Sequence, residues 1–383
     1  MVSRDKRPRR VLFLIRQLEI GGAERQLLTL VRGLPREHWE PTVVTMYRSG
    51  GLAEEFAKVP GLRVVSLDKQ GRYDLAGFGK RFRRVIQETR PDVVHGYMYG
   101  ANEIALVAGL LAGIPVVWGI RVSAMDFGRY NRWTHSVFKA GLMASRLVDL
   151  VIANSEAGLR HHEAIGLRAR RHLVIPNGID VTRFRRDDEA GLHWRRSHQF
   201  SADDFLISMV GRFDPMKDHK TFFRIVAELR KKGIPARFVC VGEGNETQTE
   251  RVHRECAECG VADVVTFAAP STNPVAIYSG SSLIVSTSAF GEGFPNVIGE
   301  AMACEVPCIS TDTGDAGRVI GNPMWVLPPG DVSGITSAVE RFFEMPSRTR
   351  AELGRKARQR IESEFSVERL VRLTEDALQS VVR

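Results

Sequence analysis

The sequence predicts an α/β protein made of two doubly wound, Rossmann-like domains with parallel sheets. Short apolar runs alternate with helical patterns along the whole chain, and strands this apolar are typical of parallel sheets covered by helices on both faces. The chain has 383 residues, of which 43% are hydrophobic, which is enough for two cores. The segment VIPNGID (residues 174–180) breaks the pattern with Pro and Asn-Gly and is the predicted junction.

The predicted strands divide into two sets along the chain. The first set is RVLFLI, EPTVVTMY, LRVVSL, PDVVHG, IPVVWGI and LVDLVIANS, and the second is FLISMVGR, PARFVCVGEG, VVTFAAP, SLIVSTS and EVPCISTD. Helices such as GAERQLLTLVRGL and HKTFFRIVAELRKKG separate them. The predicted domains are therefore 1–177 and 178–383, with a last helix that can pack back on the first domain. Ligands of such sheets bind beyond the carboxyl ends of the strands, so two facing domains would enclose a cleft.

An uncharged stretch, IALVAGLLAGIPVVWGI (residues 104–120), resembles a membrane span at first sight. A span needs about 20 residues, and Gly113 and Pro115 divide this shorter run. The prediction is a buried helix followed by a buried strand. Near the amino terminus the apolar run VLFLI stops at Arg16, too early for the apolar region of a signal peptide.

Five cysteines, an odd number without framework spacing, indicate a reducing cytoplasm. Cys256 and Cys259 form a lone CxxC with no second ligand pair, so they are interpreted as ordinary helix residues and no metal site is predicted. The predicted location is the cytoplasm, with peripheral attachment to the inner face of the plasma membrane as an extension of this prediction.

The net charge of +9 is concentrated in the first half of the chain. Residues 1–177 carry 28 Lys and Arg against 16 Asp and Glu, and residues 178–383 carry 26 against 29. In FGKRFRRVIQETR, Phe78 and Phe82 alternate with basic residues. This is either a solvated helix face or a face held near anionic lipid, where each basic residue contributes about 1 kcal/mol. No nucleic-acid-binding module accompanies the charge, so an anionic membrane surface is the predicted partner and nucleic acid is not.

Candidate anion-binding groups follow two predicted strands. Gly21 and Gly22 come after the first strand, and a helix starting there would point free N–H groups at a phosphate. Arg212 and Lys217 follow the first strand of the second half, across an Asp-Pro turn. A forked guanidinium and a point-charge ammonium can bind one diphosphate together. The alternative is an exposed turn with ordinary surface charges.

The stretch SAFGEGFPNVIGEAMACEVPCIS places two glutamates in different local structures. Gly293 and Pro295 exclude one continuous helix, so Glu292 is expected in a loop and Glu300 about one turn into a helix that begins around Pro295. Carboxylates accept hydrogen bonds from vicinal hydroxyls, so Glu300 could bind a ribose and Glu292 a hexose. The alternatives are a plain loop carboxylate and a carboxylate favoured by the helix dipole. Another strand end carries Gly242 and Gly244, a GxG that is a weak signal by itself.

The chain resembles glycosyltransferase family 4, the retaining GT-B glycosyltransferases. Five segments carry the resemblance, in this order: GGAERQL, VIPNGID, VGRFDPMK, VGEG and EGFPNVIGEAMACEVPCISTDTGD. The resemblance covers nearly the whole chain. It implies transfer of a hexose from a nucleotide diphosphate sugar, UDP-sugar before GDP-sugar, to a sugar or lipid-linked acceptor of a surface polysaccharide. It also implies retention at the sugar, no protein nucleophile and no required cofactor. A sugar-nucleotide epimerase or a phosphorylase on a similar two-domain scaffold is the alternative.

The resemblance implies roles for individual residues. Glu300 would bind the nucleotide ribose, and Glu292 would bind the donor sugar. Arg212 and Lys217 would bind the donor diphosphate, and the backbone of Gly22 would contact the same diphosphate from the first domain. The other implied donor-binding residues are Gly21, Gly242, Gly244, Gly293, Phe294, Pro295 and Asn296.

This sequence departs from the family pattern in three places. Arg121 stands where many members carry a histidine near sugar and phosphate, and an arginine can neutralise an anion but cannot act as a base. Arg121 is therefore a predicted catalytic-site residue, while His95, at a neighbouring strand end, is either a lining or a structural residue. Glu305 replaces a usual glycine, and Asp218, in KDH, replaces the glycine of a common Lys-Gly.

Overall fold

The computed structural model describes residues 7–48, 50–71, 74–123 and 132–382. Contacts divide the chain into two compact units, Met1–Gly178 with Val367–Arg383, and Ile179–Ser366. Each unit is an α/β structure around a parallel sheet, which confirms the predicted fold class.

The first unit contains a seven-stranded sheet with the strand order β3-β2-β1-β4-β5-β6-β7, all neighbours parallel. Its strands are β1 (Arg9–Ile15), β2 (Trp39–Thr45), β3 (Arg63–Ser66), β4 (Val93–Tyr97), β5 (Val116–Ile120), β6 (Leu150–Ala153) and β7 (His172–Val174). Its helices are α1 (Gly22–Gly33), α2 (Ala53–Ala57), α3 (Leu75–Thr89), α4 (Ala101–Ala112), α5 (Arg132–Ala144) and α6 (Glu156–Ala164), to which the last helix of the chain, α15 (Val367–Gln379), is added.

Two apolar clusters cover the two faces of this first sheet. Side chains alternate along a strand, so Phe13 of β1 joins the cluster under α1 and α15, while its neighbour Leu12 joins the cluster under α3 and α4. Both are fully buried, and burial of such a side chain stabilises a fold by about 1.5–3 kcal/mol.

The second unit repeats this design with a six-stranded parallel sheet of order β10-β9-β8-β11-β12-β13. Its strands are β8 (Phe205–Val210), β9 (Ala236–Val241), β10 (Val265–Ala268), β11 (Leu283–Ser286), β12 (Cys308–Thr311) and β13 (Val326–Leu327). Its helices are α7 (Asp188–Ser197), α8 (His219–Lys231), α9 (Glu246–Glu258), α10 (Pro274–Gly280), α11 (Asn296–Ala303), α12 (Ala316–Ile320), α13 (Val332–Glu344) and α14 (Ser347–Glu364).

Two strands were not predicted from the sequence, β7 and β13. Both are the last strand at one edge of a sheet, with three and two residues. A run this short, paired on one side only, lacks the length that the other strands show, so its sequence carries little signal.

The prediction that the apolar stretch 104–120 is buried throughout is wrong for its helical part. Strand β5 is buried at every position. Helix α4 buries one side, but it exposes Val107, Leu110 and Leu111, the last at 86%. None of the described helices is long and apolar enough to cross a membrane.

The glutamate that replaces a usual glycine adopts the backbone conformation that glycine would favour. Glu305 follows α11 with a φ of +61°, a left-handed conformation that costs an L-residue about 1–2 kcal/mol. We expect Glu305→Gly to raise the free energy of unfolding by about 0.5–1 kcal/mol, because the extra backbone entropy of glycine offsets part of the gain. Urea unfolding measures this, and Glu305→Ala, which keeps the Cβ, should give no such gain.

Candidate functional site

The candidate site of the second unit lies beyond the carboxyl ends of β8 and β11. In the strand order β10-β9-β8-β11-β12-β13, the direction of numbering reverses between the neighbours β8 and β11. The connections that leave them therefore run to opposite sides of the sheet, and the switch point between two such strands is where ligands of open parallel sheets bind. Arg212 and Lys217 lie in the loop after β8, and Glu292 lies in the loop after β11.

The loop after β8 is shaped by two aspartates. Asp214 accepts a hydrogen bond from the Met216 N–H (2.9 Å), which starts a short turn of 3-10 helix over Pro215–Lys217. Asp218 takes the left-handed conformation (φ 48°) and caps α8 by accepting from the Thr221 N–H at 3.2 Å. The departure from Lys-Gly is thus accommodated, because aspartate tolerates this conformation and adds a helix cap.

Direct hydrogen bonds connect this loop to the loop after β11. The Ala289 N–H donates to the Met216 carbonyl (2.8 Å), and the Thr287 hydroxyl lies within hydrogen-bond distance of the carbonyls of Lys217 (3.1 Å) and Asp218 (3.0 Å). Thr287 is fully buried. The two loops are therefore held in one arrangement by buried polar contacts.

Lys217 and Glu292 form the central ion pair of the site. The ammonium donates to Oε1 of Glu292, which also accepts from the Ser288 hydroxyl at 2.8 Å. The exposed fractions of the two side chains are 16% and 10%. Burial alone would raise the pKa of Glu292, but the charge and hydrogen bond of Lys217, the Ser288 hydroxyl and the charge of Arg212 hold it below its usual value. Glu292 is therefore a carboxylate at neutral pH.

Two groups at this site remain open for a ligand within the described part of the chain. Oε2 of Glu292 accepts no hydrogen bond there. Arg212 is exposed, forms no ion pair with another described residue, and acts on Glu292 only through its charge. An anion would meet the Arg212 guanidinium, and a hydroxyl could donate to Glu292.

Glu300 lies in α11, as the sequence predicts, with a partner that the sequence did not reveal. The Tyr278 hydroxyl donates to Oε2 of Glu300 at 2.7 Å. Burial, followed by the charge and hydrogen bond of Glu300, raises the pKa of Tyr278 well above its usual value, so this hydroxyl is a permanent donor. Tyr278 is thus a positioning residue for the carboxylate. The two residues are 22 positions apart in the sequence, and a single tyrosine in an apolar helix gave no signal of this contact.

The predicted donor-binding segment 293–296 joins the site loop to α11. Pro295 is the N-cap of the helix, so the helix begins one residue later than its first-turn preference suggests. The Gly293 carbonyl accepts from the Asp315 N–H at 3.0 Å. Phe294 is 4% exposed and packs on Phe365, with the ring centroids 5.5 Å apart. Its side chain therefore belongs to the core, and only its backbone is available for binding.

The glycines after β9 support the Arg212 loop. The Gly211 N–H donates to the Val241 carbonyl (2.9 Å), and the Phe213 N–H donates to the Glu243 carbonyl (2.8 Å). A Cβ on Gly242 would lie only 2.0 Å from the Gly211 carbonyl oxygen. Close approach of two backbones requires glycine here. For Gly244 the nearest atoms are side-chain atoms of Phe213 and Gln248.

The remaining predicted site residues belong to the first unit. Gly21 is the N-cap of α1 and Gly22 its first residue, and the Glu24 carboxylate lies beside Gly21. Arg121 follows β5, is 8% exposed, donates to the Tyr97 hydroxyl at 2.8 Å, and has its guanidinium 4.6 Å from the centre of that ring.

His95 is fully buried in β4, and neither of its ring nitrogens has a hydrogen-bond partner among the described residues, so its role stays a prediction. Burial, followed by the charge of Arg121, lowers the pKa of His95 well below its usual value, so the ring is neutral. No cluster of His, Cys, Asp and Glu suited to a metal ion occurs within the described ranges. Cys256 is buried in α9, as expected for a helix residue.

Comparisons with known proteins agree with this fold. HepE of Anabaena, solved in complex with UDP, superposes with a TM-score of 0.83 at 20% identity, over 97% of this chain and 100% of that one. The sucrose-phosphate synthase of Thermosynechococcus elongatus gives 0.78 at 18% identity, over 97% and 98%. Two doubly wound α/β units with parallel sheets are the GT-B architecture, and that is the fold class of this chain.

Sequence comparisons are more specific within this class. Residues 20–183 match the model of Glycosyltransferase Family 4, and residues 192–360 match Glycosyl transferases group 1. The putative glycosyltransferase EpsF of Bacillus subtilis is 26% identical, over 92% of this chain and 94% of its own. The capsular polysaccharide biosynthesis glycosyltransferase CapM of Staphylococcus aureus is 27% identical, over 74% and 75%.

Proposed function

We propose that this chain is a retaining hexosyltransferase that uses a nucleotide diphosphate sugar, with UDP favoured over GDP. The observation that carries the proposal is the buried Lys217–Glu292 pair with Arg212 at the carboxyl ends of β8 and β11. HepE, the structural neighbour, was solved with UDP and with UDP-glucose. The acceptor is a sugar or lipid-linked sugar of a surface polysaccharide, in keeping with the names of relatives such as CapM.

The chemistry requires charge stabilisation on the leaving diphosphate. Arg212 offers a forked donor, and Lys217 keeps two of its three N–H donors after binding Glu292. Beside the diphosphate, these two cations stabilise the negative charge that develops as the bond from sugar to phosphate breaks. No side chain has to act as nucleophile in this scheme, because the acceptor hydroxyl attacks from the face that the diphosphate leaves and gives its proton to the departing diphosphate oxygen.

Two carboxylates orient the rest of the donor. Glu292 is ionised at neutral pH, and its open Oε2 accepts a hydrogen bond from a hexose hydroxyl. Glu300, aligned by Tyr278, accepts from the ribose hydroxyls. The first unit offers Gly21, Gly22 and Arg121 for anionic groups of donor or acceptor, and these assignments stay predictions.

A thermal-shift panel of UDP- and GDP-sugars tests the donor site. The right donor at about 100-fold excess over its dissociation constant should stabilise the native state by about 2.7 kcal/mol. Glu300→Ala should lose most of this shift, and Tyr278→Phe should weaken donor binding by about tenfold or less, because one hydrogen bond contributes about 1 kcal/mol. An undiminished shift in Glu300→Ala would remove the carboxylate from the donor site.

The reaction itself is tested with the donor that the panel identifies. NMR of the product should give the same anomeric configuration as the donor, and an inverted product would end the retaining assignment. Incubation without acceptor separates the alternatives, since an epimerase converts the donor sugar under these conditions and a transferase leaves it unchanged.

A further inference from the structure

Helix α4 is apolar on the side that faces away from the core. Its inner side packs through Ala101, Ala105 and Leu106, while Val107, Leu110 and Leu111 are exposed at 59%, 54% and 86%. A surface helix normally places charged or polar residues on its outer side. In α4 the only charged residue is Glu103, in the first turn. The apolar outer side is therefore not explained by folding.

Helix α5 extends this apolar surface. A Cβ on Gly141 of α5 would lie 2.8 Å from the Glu103 carboxylate, so the two helices are neighbours. Met143 at the end of α5 is 73% exposed, and Leu147 in the following turn of 3-10 helix is 49% exposed. We call the set Val107, Leu110, Leu111, Met143 and Leu147 the apolar patch.

Exposed basic residues accompany the apolar patch. Helices α3, α4 and α5 all contribute to one apolar cluster and so cover the same face of the sheet. Their exposed basic residues, with the turn after α5, are Lys80, Arg83, Arg84, Lys139 and Arg146. Within the described ranges none of these five forms an ion pair with a carboxylate. The exposed acid of α3, Glu88, is already paired with Arg63 at 2.7 Å.

We propose that the α3–α4–α5 face docks on an anionic lipid bilayer, with the apolar patch in the headgroup region and the basic residues on lipid phosphates. Aliphatic side chains beside unpaired Lys and Arg are the composition of an interfacial membrane surface. Protein interfaces are enriched in aromatic residues as well as in Met and Arg, and the apolar patch contains no aromatic side chain. A second copy facing this one would bring like charges together. The proposal concerns lipid binding alone and stands independently of the sugar-transfer reaction.

Vesicle flotation tests the proposal without any substrate. The whole protein should float with vesicles of phosphatidylglycerol and phosphatidylcholine at low salt and less with phosphatidylcholine alone, and added salt should weaken binding. The variant Leu110→Glu/Leu111→Glu should bind at least about tenfold more weakly, because apolar insertion is lost. Arg83→Ala/Arg84→Ala should reduce the preference for anionic vesicles.

The control is Met324→Glu, which introduces the same side chain, with one negative charge where the double variant has two, at an apolar residue of the second unit that is 47% exposed. It should float like the unaltered protein, and all variants should keep the same circular dichroism and melting temperature. Absence of flotation of the unaltered protein with anionic vesicles would overturn the proposal, as would equal flotation of Leu110→Glu/Leu111→Glu and Met324→Glu. A lipid-free dimer that Leu110→Glu/Leu111→Glu dissociates would also overturn it, because the apolar patch would then serve a second copy.

Discussion

Lys217→Met is expected to destabilise the protein as well as to abolish sugar transfer. The substitution leaves the Glu292 carboxylate, with a side chain that is 10% exposed, without its cation. Removal of one partner of a buried ion pair typically costs about 3–5 kcal/mol. From the sequence alone, loss of Lys217 should affect donor binding and turnover with little effect on folding. The structure changes that expectation, and urea unfolding at neutral pH measures the difference.

A second substitution separates stability from chemistry. In Lys217→Met/Glu292→Gln the buried charge is gone, so most of the lost free energy of unfolding should return, while transfer stays absent because the ammonium is still missing. Lys220→Met is the matched control, since Lys220 pairs with Glu258 at 3.2 Å on the surface, with exposed fractions of 41% and 49%. Loss of such an exposed pair should cost at most about 1 kcal/mol. Equal losses for Lys217→Met and Lys220→Met would disprove the buried-pair account.

The effect of Lys217→Met should also depend on pH. The pKa of Glu292 in the folded protein lies below the ordinary 4.5. The stabilisation it contributes is therefore present above pH 4.5 and is lost as pH falls through the folded pKa. Without Lys217, burial should raise the pKa of Glu292, and protonation then relieves the unpaired charge. The stability difference between the variant and the unaltered protein should thus shrink on acidification, and a pH-independent difference would contradict this.

The sequence predicted the architecture because buried parallel strands leave a strong apolar signal. It also placed Arg212 and Lys217 at a strand end and Glu300 in a helix, since Asp-Pro and Gly-Phe-Pro mark where regular structure stops. The resemblance to a family supplied their expected roles. Local patterns do not predict contacts between residues that are far apart in the chain. Neither the Lys217–Glu292 pair nor the Tyr278–Glu300 hydrogen bond was therefore anticipated.

Burial was the second property that the sequence could not settle. The uncharged stretch 104–120 is apolar both in its strand, which is buried, and in its helix, which is partly exposed. Composition indicates that a residue prefers an apolar environment. Only the structure shows whether that residue is buried. A similar limit applies to Asp218, which stands where a glycine was expected. Only the structure shows that this aspartate adopts a positive φ and that its side chain caps α8.

Gly242→Ala is expected to impair catalysis through Arg212. An alanine Cβ would lie 2.0 Å from the Gly211 carbonyl oxygen and 2.9 Å from the Phe213 ring, so the loop that carries Arg212 must move. Displacement of a catalytic group by about 1 Å can cost about 10²-fold in rate. We expect a fall of this order in kcat/KM. Gly79→Ala is the control, because its Cβ would meet no atom within 4 Å and alanine favours a helix interior.

A double-mutant cycle decides whether the effect passes through Arg212. If Gly242→Ala acts only by moving the guanidinium, then Gly242→Ala/Arg212→Ala should be no slower than Arg212→Ala, because the displaced group is already absent. Additive losses would mean that Gly242 serves the donor directly through its own backbone, as the resemblance implies. Since the clash involves two backbones held by hydrogen bonds at Val241 and Glu243, we expect the non-additive result.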